Sequence, residues 1–231
     1  NSSFQTQVDS AIRNLDAVSV NINYSNQSKT ILDNSFNLNI SSDMLSAMSD
    51  LFISLSGTEL KADQVNLYDF SGYVLEAGIS TIVKKTDGSK DEWIEAAREL
   101  EGKKILTPPY CTREYTKSAT YDQWFISLYR SFNNQYKRGV GVIETAKQCK
   151  SVFKSIITYK KKNHEDAASV YVFDSNGDLI YPYDISQEYQ AALQPYYELT
   201  KVDDSALTLT SPLTGRTEYA AECVSAYTGY T

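Results

Sequence analysis

The residues that could do chemistry in this chain are few, and most are acids and aromatics. Glu144 closes an apolar strand, Gly-Val-Gly-Val-Ile-Glu-Thr at 139–145, in which Val140, Val142 and Glu144 share one face. An acid at the end of such a strand, with Arg130 on the strand before it, predicts a charged group on a concave sheet face that holds something. Gly139 and Gly141 fall where a side chain would block a close neighbour or a ligand. Paired carboxylates such as Asp91 and Glu144 are what a glycoside hydrolase needs, yet no fixed spacing ties these two together. The single histidine, His164, sits in Lys-Lys-Lys-Asn-His-Glu-Asp and reads as a solvated loop residue. Histidine-based zinc sites and Ser-His-Asp triads therefore lack support. Cys111, Cys149 and Cys223 have no metal-ligand spacing, and three is an odd number, so at least one thiol stays outside any internal pair. Asp174 and Asp178 flank Gly177 as turn formers, without the later Glu of an EF-hand. The residues predict no catalytic group, no metal and no cofactor.

The totals narrow the class. With 231 residues, 42% of them hydrophobic, the chain can build one large core or two smaller ones. Eighteen tyrosines suit strands and half-wet pockets. A net charge of −7 argues against a nucleic-acid partner and against peripheral binding to an anionic leaflet. No run approaches the roughly 20 apolar residues of a membrane span. The chain opens at Asn1 with neither an initiator Met nor a signal peptide, so it is expected to be part of a longer protein, with room for membrane spans in its flanks.

The elements that must position these residues follow from periodicity. Residues 3–35 read as one helix, with Phe4, Val8, Ile12, Leu15, Val18 and Ile22 stepping by three or four. At 1.5 Å per residue it would be about 45 Å long. Its narrow stripe suits a bracket along a domain, half of a dimer seam, or both. Ser42 is expected to cap a helix over 43–55 that Gly57 ends. A hairpin follows, 64–70 and 73–77 about Ser71-Gly72, then a polar loop over 84–91. A short helix from about Asp91 carries Trp93 and ends near Gly102. Residues 105–110 are extended, stiffened by Pro108-Pro109, and 111–120 read as polar loop. Strands 124–132 and 139–145, joined by a polar turn over 133–138, form an antiparallel pair at the far side of the sheet. A helix is expected over 146–160. The pattern then restarts, with 169–173, a turn at 174–178 and 179–183 repeating the layout of 66–75. A helix over 186–201, interrupted at Pro195, and a strand pair, 206–211 with 216–226, complete an α+β chain.

This order resembles the double Cache (dCache) sensor domain of bacterial receptors, in particular the extracytoplasmic part of Gram-positive two-component sensor histidine kinases. The resemblance is carried by Leu67-Tyr68-Asp69 with Gly72, by Asp91-Glu92-Trp93 with Ala96 and Ala97, and by Thr107-Pro108-Pro109-Tyr110. It continues through Gly139-Val140-Gly141-Val142-Ile143-Glu144, Val172-Phe173-Asp174 with Gly177, Leu179-Ile180-Tyr181 and Thr228-Gly229-Tyr230. It implies an N-terminal helical region (1–60), a membrane-distal PAS-like module (61–160) and a smaller membrane-proximal PAS-like module (161–231). It also implies tethering by spans outside this chain, a homodimer in the full receptor, and extracytoplasmic sensing of a small molecule in the distal module. The signal would pass to a histidine kinase. A chemoreceptor, a cyclic-dinucleotide enzyme, or a ligand-free module responding to a protein partner are the alternatives.

In amino-acid-binding members of the family an Arg lies two residues before the Trp, an aromatic follows it, and an Asp closes the last distal strand. This chain has Asp91, Ile94 and Glu144 at those places, so the bidentate reader of an α-carboxylate is missing. The expected ligand-binding set is Trp93, Tyr110, Tyr129, Arg130 and Glu144, with Asp91 at the departed position. Aromatic faces beside an acid suit an amine or other cation; with mixed polar groups they equally suit a sugar or an amino-acid-like molecule. The structural alternative has Trp93 and Tyr110 as core, and Arg130 with Glu144 as a cross-strand pair.

Overall fold

The computed structural model describes residues 2–32, 40–57, 60–77, 81–115, 120–133, 136, 139–163, 168–199 and 206–231. His164, residues 33–35 of the expected first helix, and parts of the expected turn at 133–138 and loop at 111–120 lie outside them. The chain divides into two compact units. One, the sheet unit, comprises Ile12–Tyr110 and Phe125–Gln148; the other, the hairpin unit, comprises Asn1–Ala11, Cys111–Trp124 and Cys149–Thr231. The fold is α+β.

The N-terminal stripe forms a helix because its apolar residues have something to cover. In α1 (Ser2–Tyr24), Ile12, Leu15, Val18 and Ile22 are buried in the sheet unit. Thr145 donates its hydroxyl to the Leu15 carbonyl at 3.1 Å, fixing the helix to the sheet. In the hairpin unit Val8 is buried, the Phe4 ring meets Tyr159 edge-on at 5.4 Å, and Ser225 donates to Asp9 at 2.7 Å. The stripe thus serves as a bracket. The single long helix expected over 3–35 is broken at Ser25, where α2 (Asn26–Leu32) begins. Ser25 Oγ accepts from the Ser28 amide at 3.3 Å, so a serine side chain starts a new helix where the old ladder could have continued. Ser41, one residue before the expected cap, accepts from Met44 and starts α3 (Ser42–Ser56), which Gly57 ends at φ 68°.

The sheet unit is built on β1 (Gln64–Asp69), β2 (Tyr73–Ala77), β3 (Ile82–Lys85), β4 (Lys104–Leu106), β6 (Thr120–Asn133) and β7 (Gly139–Gln148), in the order β3-β2-β1-β7-β6-β4. β5 (Tyr110–Tyr115) pairs with β6. Four sequence expectations change here. The β6–β7 pair is antiparallel as expected but lies inside the sheet, because β1 covers the other edge of β7. The loop expected over 84–91 begins as strand β3, and the loop expected from 111 begins as strand β5. β7 runs on to Gln148, since Ala146 pairs with Gln64 and Gln148 with Phe125. The helix expected over 146–160 is consequently two short ones, α5 (Cys149–Val152) and α6 (Lys154–Asn163), parted at the buried Phe153. Gly141 is required by its neighbour strand: a Cβ there would strike the Tyr68 carbonyl.

The hairpin unit holds β8 (Val172–Phe173) with β9 (Leu179–Tyr181), α7 (Gln187–Leu199), and β10 (Ala206–Thr210) with β11 (Thr217–Ala221). Helix α7 passes through Pro195 without the expected interruption. Pro195 is exposed, while Tyr196 and Tyr197 dock on Tyr171 and Phe173 at 5.0 and 5.6 Å and hold the next turn. Trp124 packs on Tyr183 at 5.8 Å. The repeat is real at atomic level. Asp69 accepts the amides of Ser71 and Tyr73 at 2.9 and 2.8 Å, and Asp174 accepts those of Asn176 and Asp178 at 2.8 and 2.9 Å. Each acid is followed three residues on by a glycine with positive φ, 86° at Gly72 and 91° at Gly177.

Candidate functional site

Helix α4 (Asp91–Glu99) carries the aromatic wall of the site. Its first turn holds Asp91 and Glu92 and its last turn Arg98, charges that complement the helix dipole. Ala97 is fully buried, which sets the helix close on the sheet and turns Trp93 toward it. The Trp93 ring lies 5.0 Å from Tyr110 and 5.8 Å from Tyr129.

Behind that wall is Glu144, with no exposure at all. Alternation along β1 and β6 brings Asn66, Tyr68, Ser127 and Tyr129 to the same face, and Tyr129 stands directly opposite Glu144. Asn66 and Tyr68 donate to Oε2 at 2.9 and 2.7 Å. Ser127 and Tyr110 donate to Oε1 at 2.7 and 3.0 Å, and their own oxygens are 2.7 Å apart. The Lys90 ammonium reaches both oxygens, at 2.8 and 2.9 Å, while resting 5.4 Å from the Tyr110 ring centre. Lys90 is delivered there by a loop in which Asp87 accepts the Ser89 amide and hydroxyl at 3.0 and 2.6 Å.

Five donors saturate a carboxylate, which offers about four lone-pair positions. Burial by itself pushes the Glu144 carboxyl up, but the Lys90 charge and the hydrogen bonds from Lys90, Asn66 and Tyr68 outweigh it and bring the group to about 2. Burial, and then the Glu144 charge, raise the phenols of Tyr68 and Tyr129, so both keep their protons. The centre is an ion pair wrapped in hydroxyls, with an aromatic face on one side. A cleft of about 60 Å³ opens beside it, lined by Lys90, Asp91, Glu76, Lys84 and Ile94.

The structure therefore gathers Trp93, Tyr110, Tyr129 and Glu144 and puts Asp91 among the residues lining the adjacent cleft. It sends Arg130 elsewhere. Arg130 stands opposite Ile143, on the other sheet face, and pairs with Asp16 of α1 and the Gly102 carbonyl. The cross-strand pair with Glu144 does not form, because neighbours on one strand point to opposite faces. Lys90, Asn66, Tyr68 and Ser127 belong to the site but not to the ligand-binding set expected from sequence, although Tyr68 stands in one of the motifs that carry the resemblance. The signal for the last three was positional, two residues apart on strands already assigned; Lys90 had none beyond standing before Asp91. Among the described residues no group of His, Cys, Asp and Glu side chains is placed to hold a metal ion.

The chain has the fold of bacterial extracytoplasmic sensory domains, the Cache type that the motifs resemble. It matches the periplasmic sensory domain of the Campylobacter jejuni chemoreceptor Tlp1 at 13% identity and a TM-score of 0.59, over 96% of this chain and 86% of that one. It matches the extracellular domain of vpHK1S-Z8, assigned as a histidine kinase, at 12% identity and a TM-score of 0.60, over 90% and 78%. The ligand-binding domain of Campylobacter jejuni chemoreceptor Tlp3 in complex with L-norvaline matches at 15% and 0.52, over 99% and 88%. No family model and no curated protein matches the chain.

Proposed function

We propose that this chain is the extracytoplasmic sensory domain of a membrane-tethered, homodimeric receptor with a histidine kinase as its output. In this reading the sheet unit is the membrane-distal module that binds a small molecule, and the hairpin unit is the membrane-proximal one. The carrying observation is the Lys90–Glu144 pair beside the Tyr110 ring, against which Trp93 packs, next to a cleft. Glu144 is already neutralised from within the chain, so a bare amine gains its charge only by displacing Lys90. A zwitterion does better: its ammonium takes Glu144, its carboxylate takes the displaced Lys90, and one ion pair becomes two. Lys90 would then replace the carboxylate reader whose usual position is Asp91. An amino-acid-like ligand is favoured over a simple amine or a sugar. L-norvaline, found with Tlp3, is a molecule of that kind.

Signalling follows by population shift. A ligand preferring one state a hundredfold supplies about 2.7 kcal/mol to it, and no more. The test is a thermal-shift screen against amino acids, amines, sugars and carboxylates. A zwitterion at a hundredfold excess over its Kd is expected to stabilise the chain by about 2.7 kcal/mol, and Lys90→Met or Trp93→Ala to remove the effect while the fold persists. A screen with no small-molecule hit, together with a stabilising protein partner, would overturn the reading.

A further inference from the structure

Tyr129 is fully buried, and among the described residues its hydroxyl has no hydrogen-bond partner. Native interiors rarely leave a buried hydroxyl unpaired, because it has given up water for nothing. The ring is not free to seek a partner elsewhere. It packs in one apolar cluster with Val74, Ala97 and Val142, with Trp93 at 5.8 Å and Tyr68 at 6.4 Å. An acceptor stands directly opposite. Tyr129 of β6 and Glu144 of β7 are cross-strand partners on one sheet face. Burial, and then the Glu144 charge, raise the phenol, which marks how near the carboxylate lies.

No bond forms because the carboxylate is already served. Asn66 and Tyr68 hold Oε2, Ser127 and Tyr110 adjoin Oε1, and the Lys90 ammonium reaches both. The Oε1 side is the thinner one. Tyr110 and Ser127 own one hydroxyl proton each, yet three contacts join them and Oε1. Tyr110 lies 2.7 Å from Ser127, Ser127 2.7 Å from Oε1, and Tyr110 3.0 Å from Oε1. Two protons serve two contacts at a time. When they serve the two short ones, Tyr110 donates to Ser127 and Ser127 to Oε1. Oε1 then holds one neutral donor and Lys90.

We propose that Tyr129 is a standby donor: when Lys90 leaves Glu144, the Tyr129 hydroxyl takes up the acceptor position that Lys90 gives up. What displaces Lys90 rests on the zwitterion reading above; the exchange itself rests on the geometry of the three side chains. Lys90 is the partner able to leave. It is 19% exposed, precedes α4 and lines the cleft, whereas the Tyr129 ring is held by the core. The exchange replaces a charged donor from a loop with a neutral one from the sheet. Tyr129 is therefore a positioning residue that acts through Glu144, and it makes the Lys90-released state less costly. A ligand that binds only a fractionally populated state has its affinity reduced by that fraction. A hydrogen bond to a charged acceptor raises the fraction about tenfold, so Tyr129 sets the threshold of the sensor.

The experiment is a double-mutant cycle by urea unfolding at pH 7, with wild type, Tyr129→Phe, Lys90→Met and Lys90→Met/Tyr129→Phe. With Lys90 present, Tyr129→Phe removes a hydroxyl that bonds nothing, and the unfolding constant is expected to stay within about twofold or to fall. With Lys90→Met, the same substitution removes a donor to Glu144 and is expected to raise the unfolding constant about tenfold. A packing role for the ring moves neither value, since Phe keeps the ring. Should Lys90→Met be unfolded in buffer, trimethylamine N-oxide is added equally to all four chains, because an excluded osmolyte favours the compact state. A cost at least as large with Lys90 present as with it replaced overturns the proposal, and so does the absence of a cost in both backgrounds. No ligand enters the cycle. Its failure leaves the zwitterion reading standing, and a flat thermal-shift screen leaves the exchange standing.

Discussion

Replacing Lys90 with Met tests the centre of the sheet unit directly. The side chain keeps its length and loses its charge, and the Glu144 carboxylate is left with neutral donors. Holding that carboxyl at about 2 against its ordinary 4.5 corresponds to about 3 kcal/mol, at 1.36 kcal/mol per tenfold in proton affinity. Breaking one partner of a buried ion pair costs about 3–5 kcal/mol, and Lys90, 19% exposed against 0% for Glu144, belongs at the lower end. The expected loss is about 3 kcal/mol at pH 7, or about 6–12 °C in melting temperature for a chain of this size. The pH dependence has a definite sign. A carboxyl held below its unfolded value contributes stability above about pH 4.5 and loses it as the pH falls toward about 2. Without Lys90, burial raises the carboxyl and it protonates earlier, so the gap between the two proteins is widest at neutral pH and closes in acid. Circular-dichroism melts from pH 3 to pH 8 measure this, with Lys90→Met/Glu144→Gln expected to recover at least about 1 kcal/mol. A loss below about 0.5 kcal/mol at pH 7, the size of an exposed pair, would refute the reasoning. An equal loss at both ends of the pH range would refute it too.

Other positions test the surrounding frame. Asp16→Ala deprives both Arg130 and Lys104 of their carboxylate, and urea titration is expected to show a loss of about 2–3 kcal/mol. Gly141→Ala drives a methyl group into the Tyr68 carbonyl and is expected to cost at least about 2 kcal/mol. Gly139→Ala, whose nearest neighbour is Asn133 Oδ1 at 3.9 Å, is expected to stay within about 0.5 kcal/mol on the same assay. Leu15→Ala opens a cavity under a fully buried position and should cost about 2–5 kcal/mol while leaving the sedimentation coefficient unchanged, as a bracket helix requires and a dimer seam does not.

Much of the frame was legible from local pattern. The α1 stripe, the two Asp-turn-Gly hairpins and the antiparallel pairing of β6 with β7 all follow from spacing, because burial of alternate or every third and fourth residue is a local constraint. The errors fall where distant partners decide. Residues 146–148 read as helix until β1 and β6 pair with them, and 111–115 read as loop until β6 supplies a ladder. Pro195 stays helical because tyrosines on the following turn are anchored by β8 and the residue before it.

The candidate site divides in the same way. Sequence alone determined that Glu144 sits on an apolar strand, and strand alternation alone placed Tyr129 and Arg130 on opposite faces of the strand before it. Tertiary structure decided which of the two meets Glu144, since one residue of register exchanges the faces. It also decided that the counter-charge comes from Lys90, 54 residues away along the chain, because a loop ordered by Asp87 and Ser89 ends above the β7 carboxylate. Charge pairing in a dry interior depends on distances between elements, and those distances are set by packing rather than by any stretch of sequence read in isolation.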